Sequence, residues 1–121
     1  MRPIRVLLVD NSRVALSVMQ RILAATPDIE VVGAAGNGRE ALDLFPRLRP
    51  DLVCIDLDMP EMDGLDLTRE VMARHPCPIL VVSAALQPDD SSSLFPLLEA
   101  GAVDVAAKPA MRSSTGPEAR E

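Results

Sequence analysis

Four positions carry side chains suited to phosphorus chemistry. Asp10 and Asp56 supply carboxylates, Ser83 a hydroxyl and Lys108 an ammonium, and the amide of Asn11 stands beside the first. Each closes a short apolar run. Taken singly, each has a plain reading as a loop carboxylate, a helix cap or a solvated lysine, and Asn11 or Ser12 can simply cap a following helix. Taken together they demand a cation, because two carboxylates brought close without a counter-charge raise each other's pKa at a cost in stability. Mg²⁺ suits that place, since it takes oxygen ligands and commonly binds through one or two carboxylates plus a phosphate. A carboxylate facing such an ion, an ammonium and a hydroxyl is a nucleophile toward phosphorus, with the charge on the transferring oxygens neutralised as it develops. The chemistry open to this set is formation of an aspartyl phosphate.

These residues meet only if the runs they close lie side by side. Strand-length apolar runs rich in β-branched residues recur at Val6 to Val9, Ile29 to Ala35, Leu52 to Ile55, Ile79 to Val82 and Val103 to Ala107. None alternates strictly, as expected when helices cover both faces of a parallel sheet. Helical spacing fills the gaps. Ser12 to Ala25 places Val14, Val18 and Ile22 on one face, with Ala15, Met19 and Leu23 beside them. A second helix is expected from about Arg39 to Phe45, stopped by Pro46, and a third from Leu65 to Arg74 with Leu67, Val71 and Met72 inward. Pro96 inside Ser91 to Ala100 predicts a short or kinked fourth helix. Four β-α units and a fifth strand imply right-handed crossovers and an α/β, doubly wound parallel sheet. Such sheets bind ligands beyond the carboxyl ends of their strands.

Composition narrows the function further. A chain of 121 residues, 48% of them hydrophobic, makes one domain, and its formal charge of −6 would repel a polyanion, so direct nucleic-acid binding is not expected. Cys54 and Cys77 lack disulfide or zinc spacing, which favours the cytoplasm, and no run has the form of an export signal or membrane anchor. Residues 1–109 are expected to form the domain and 110–121, with Ser113-Ser114-Thr115-Gly116-Pro117, a linker or tail, leaving a fifth covering helix missing.

In order, Leu7-Leu8-Val9-Asp10-Asn11-Ser12, Asp56-Leu57-Asp58-Met59-Pro60-Glu61-Met62-Asp63-Gly64, Val81-Val82-Ser83-Ala84 and Gly101-Ala102-Val103-Asp104 through Lys108-Pro109 resemble the receiver domains of bacterial two-component response regulators. That resemblance implies a flavodoxin-like five-stranded sheet of order 2-1-3-4-5. It makes Asp56 the phospho-acceptor and Asp10 a holder of Mg²⁺, largely through water. Asp58 falls where the family uses a backbone carbonyl as metal ligand, so its side chain need not matter. Ser83 resembles the switch hydroxyl, Lys108 the phosphate-pairing lysine, and Pro109 the partner in a cis Lys-Pro bond, while Gly64 is expected to take a positive φ. The partners implied are a sensor histidine kinase and an output domain, in cis or on another protein. Ile29-Glu30-Val31-Val32-Gly33, Arg74-His75-Pro76-Cys77-Pro78-Ile79 and Glu99-Ala100-Gly101-Ala102-Val103-Asp104 are similar to the receiver of chemotaxis protein-glutamate methylesterases, where it controls a catalytic domain.

Three departures stand against the pattern. Asn11 replaces a carboxylate that usually contacts the metal, which predicts weaker Mg²⁺ binding. Val105 replaces an aromatic ring that swings inward on phosphorylation, and the missing fifth helix would bare an apolar patch open to a copy of the chain or a neighbouring domain. An alternative is therefore an interaction module of the same fold without phosphorylation. A further reading takes Asp56-Leu57-Asp58 as the Asp-x-Asp of haloacid-dehalogenase-type phosphatases. No Ser-His-Asp set is present, and His75 is expected to cap helix carbonyls, so the chain by itself should not hydrolyse a methyl ester. Cys54 is read as a small buried residue, and Met59 and Met62 as packing for the loop after the third strand.

Overall fold

The computed structural model describes residues 2–83 and 91–107, without the side chains of residues 91–95, 105 and 107. In chain order the elements are β1 (Ile4–Val9), α1 (Arg13–Ala24), β2 (Ile29–Ala35), α2 (Gly38–Leu48), β3 (Leu52–Asp56), α3 (Gly64–Arg74), β4 (Ile79–Ser83), α4 (Ser91–Ala100) and β5 (Asp104–Ala107). All strand pairs are parallel, in the order β2-β1-β3-β4-β5. The doubly wound sheet expected from the spacing of the apolar runs is therefore present.

Continuous apolar runs form the inner strands because both of their faces meet helices. Val6 to Val9 and Val53 to Ile55 are buried throughout. On one face, Leu7, Val9, Val53, Ile55, Ile79 and Val81 pack with Phe45 of α2, Leu67 and Val71 of α3 and Leu97 of α4. Each fully buried side chain of this size stabilises the fold by about 1.5–3 kcal/mol. On the other face Val6, Leu8, Cys54 and Val82 meet Leu16, Met19 and Leu23 of α1. One irregularity interrupts the ladders: Val6 pairs with Val31 but Leu7 with Gly33, so Val32 is an extra residue on the edge strand β2. Ile29 and Val31 lie on the α1 side before this bulge and Ala34 after it, while Ala35 turns to the opposite core.

Several sequence expectations need correction. Pro46 does not stop α2, which runs on to Leu48. The continuation keeps Phe45 in the core and Leu48 packed against it, and carbonyls at the helix end find donors: the Arg5 guanidinium donates to those of Leu48 and Arg49, and the Arg49 N–H to that of Phe45. Pro96 lies within α4, which at ten residues over Ser91–Ala100 is short, as expected. On α1 the inward side is Ala15, Leu16, Met19 and Leu23, whereas Val14 and Ile22 are 59% and 46% exposed. His75 does cap α3 as expected, through its backbone N–H to the Val71 carbonyl, while its ring stacks flat on Phe45 at 5.2 Å. Leu67, Val71 and Met72 face the core as expected. The expected missing helix and the 110–121 tail lie outside the described residues.

Candidate functional site

The order β2-β1-β3 makes the chain leave β1 and β3 in different directions, which opens a crevice at their carboxyl ends. Asp10 and Asp56 line it. Val9 pairs with Ile55, and Asp10 and Asp56 are the residues that follow them. Both are buried, Asp10 at 4% and Asp56 at 2% exposure.

Local structure holds each carboxylate in place. Asp10 donates its N–H to the Ala35 carbonyl at 3.0 Å, and its Oδ1 accepts the N–H of Ser12 at 2.9 Å. Ser12 is itself the cap of α1, its hydroxyl accepting from Ala15. Beyond Asp56, Leu57 donates its N–H to Val82 at 2.8 Å and accepts from Gly64 at 2.9 Å, which pins the loop between β4 and α3. Gly64 is needed for that close approach and not for a positive φ: a Cβ there would lie 2.6 Å from Leu57 Cα and 2.8 Å from the Asp56 carbonyl oxygen. The left-handed residue of the loop is Glu61, at φ 66°. Met59 is buried beneath the loop and Met62 packs beside it.

Ser83 closes β4 at 2% exposure, next to the Asp56–Val82 pair. Its hydroxyl donates to Asp58 Oδ2 at 3.1 Å, while the Asp58 N–H donates to Asp56 Oδ1 at 3.3 Å. The sequence reading places Asp58 in the site through its backbone carbonyl and does not foresee this contact of its side chain with Ser83. Nothing in the order of residues signals it, because the contact joins positions 25 apart through a loop. Asn11 is exposed beside Asp10. Lys108 and Pro109 lie outside the described residues, as does the side chain of Val105; Ala107, which precedes Lys108, pairs with Ser83.

The donors that gather here are all oxygens, carried by two adjacent buried carboxylates and the exposed amide of Asn11, a set that fits a hard cation such as Mg²⁺. Among the described residues no three His, Cys, Asp or Glu side chains converge as a metal group, and the Asp58 side chain is turned to Ser83. Burial, with the Asp10 charge adding to it, pushes the Cys54 thiol up to about 11, which makes it inert as a nucleophile.

Comparison with known proteins agrees with this arrangement. The profile of the response regulator receiver domain matches residues 6–115. The chain belongs to the response regulator receiver family. This receiver is 48% identical over 106 residues to a protein-glutamate methylesterase/protein-glutamine glutaminase of Methanospirillum hungatei, covering 88% of the chain and 30% of that protein. In structure it is similar to the response regulator domain of Thermotoga maritima CheB, with a TM-score of 0.82 and 33% identity over 98% of this chain and 87% of that one. It is also similar to the receiver domain of NarL from Mycobacterium tuberculosis, with a TM-score of 0.80 and 28% identity over 95% and 88% of the two chains. The receiver spans about 30% of the length of the curated relatives it matches. The phosphatase reading of Asp56-Leu57-Asp58 draws no support from the family match, which is to the receiver domain over residues 6–115.

Proposed function

We propose that this receiver is a phospho-accepting switch of a two-component pathway of the chemotaxis type. Asp56 is its acceptor: one carboxylate oxygen attacks the phosphorus of a phosphohistidine on a sensor kinase, the P–N bond breaks, and the imidazole leaves with a proton from solvent. The observation that carries this reading is the burial of Asp10 and Asp56, which follow the paired Val9 and Ile55 at the switch point, with Ser83 at the end of the next strand. Asp10, Asn11, Asp56 and the backbone carbonyl of Asp58 would hold Mg²⁺, which when bound neutralises charge on the transferring oxygens. Ser83 and Lys108 then bind the oxygens of the attached phosphoryl group, and β4, β5 and α4 repack between two arrangements already in equilibrium.

Residues 1–109 serve as the switch and 110–121 as the link to an output partner, in cis as a methylesterase domain or on a separate protein. The likeness to methylesterase receivers supports that output. Two free thiols suit the cytoplasm, and among the described residues no helix is long and apolar enough to cross a membrane. Incubation with acetyl phosphate and Mg²⁺ is expected to add one base-labile phosphoryl group by intact-mass spectrometry, absent from Asp56→Asn. A wild-type chain that takes none would overturn the proposal. Asn11 is the feature that favours a phosphorylation-independent module instead, and equal partner binding by wild type and Asp56→Asn would support that reading.

A further inference from the structure

A serine hydroxyl has one proton and donates it to one acceptor at a time. In this structure the Ser83 proton goes to the Asp58 carboxylate, and the same residue gives its backbone N–H to Asp56. One loop residue therefore touches both the candidate acceptor and the candidate switch hydroxyl. Ser83 is almost fully buried while its acceptor Asp58 is exposed, so the bond forms where the buried end of β4 meets solvent.

We infer that the Asp58 carboxylate is a latch for Ser83, a positioning residue that holds the hydroxyl until a phosphoryl oxygen on Asp56 outcompetes it. The inference rests on Asp56 being the acceptor. Switching then exchanges one charge-assisted hydrogen bond for another of similar strength. The difference between two such bonds is small, so neither arrangement is overwhelmingly favoured, and the latch sets how much binding energy the phosphoryl group must supply. Asp58→Ala removes the competing acceptor while its backbone N–H to Asp56 remains. Asp58→Asn keeps an oxygen that can accept but takes away the charge, and falls between. Either substitution also removes a negative charge near an incoming anion, which alone would tighten anion binding. The two contributions separate through Ser83.

The experiment titrates beryllofluoride with Mg²⁺ into wild type, Asp58→Ala, Asp58→Asn, Ser83→Ala and the Asp58→Ala/Ser83→Ala double variant, following backbone amide shifts at the end of β4. Asp58→Ala is expected to bind about tenfold more tightly than wild type, with Asp58→Asn between them. In the Ser83→Ala background the gain should shrink several-fold. An equal gain in both backgrounds would mean that charge alone acts, and would overturn the latch. Urea unfolding of the same variants without ligand supplies a second reading. Asp58→Ala and Ser83→Ala should couple in a double-mutant cycle, and strict additivity would overturn the latch as well. A wild type that binds no beryllofluoride would instead overturn the phospho-acceptor reading, taking the role of the latch with it.

Discussion

Asn11 is the residue where this site departs most from a three-carboxylate arrangement. Its amide can ligate a cation but adds no charge, so the negative field of the pocket comes from Asp10 and Asp56, with Asp58 beside them. Asn11→Asp is expected to raise Mg²⁺ affinity about tenfold, equivalent to about 1.4 kcal/mol, in a fluorescence or calorimetric titration. Affinity unchanged by the substitution would mean that position 11 does not face the ion. The carboxylates themselves were legible in sequence, because a polar residue at the end of an apolar strand of a parallel sheet has only the carboxyl edge to occupy. The contact made by the Asp58 side chain was not legible. The backbone and side chain of Asp58 act on two different residues, and only the turn of the loop decides which way each points.

At the scale of elements, the loop between β3 and α3 is held by Gly64 packed against the backbone of residues 56 and 57. Gly64→Ala is expected to destabilise the chain by about 1–3 kcal/mol in urea unfolding, despite the better helix propensity of alanine, because the groups it meets are backbone and cannot rotate aside. Helix α1 offers a complementary test of orientation. Val14→Thr and Ile22→Gln should each change stability by less than about 0.5 kcal/mol, against about 2–5 kcal/mol for Leu67→Ala. Element existence was readable from spacing, and so was part of the packed side of α1 in Ala15, Met19 and Leu23, yet Leu16 was missed and Val14 and Ile22 are exposed. Packing, and not periodicity, chooses between two neighbouring apolar stripes. Pro46 misled for a related reason: proline costs the one hydrogen bond of its missing N–H, but the sequence does not reveal that Phe45 and Leu48 on either side of it pack into the core, or that Arg5 ties down the helix end.

At the scale of the whole molecule, the end opposite the acidic crevice is tied by Asp51. Its Oδ2 accepts the Arg5 N–H at 2.9 Å, its Oδ1 accepts from the Arg2 guanidinium at 2.9 Å, and its own N–H donates to the Arg5 carbonyl at 2.7 Å. The Arg5 N–H, aided by the Arg2 charge, holds the Asp51 carboxyl below its ordinary value. A depressed folded-state pKa stabilises the fold above the unfolded value near 3.9, and that contribution fades as pH falls through the folded value. Thermal melts of wild type and Asp51→Asn should thus differ at neutral pH and converge once the pH has fallen below the folded-state value, the wild type losing more on acidification. Melts that run parallel across this range would show that the brace does not contribute.

The extra residue at Val32 has a consequence for how copies of the chain meet. It sits on β2, an open margin of the sheet, and there it breaks the even spacing of hydrogen-bonding groups that an incoming strand would need to match. The exposed Glu30 sets a charge on the same margin. Fibre growth by strand addition on that side is thereby disfavoured, and the irregularity that spoils the ladder also helps keep a crowded solution of this chain from stacking.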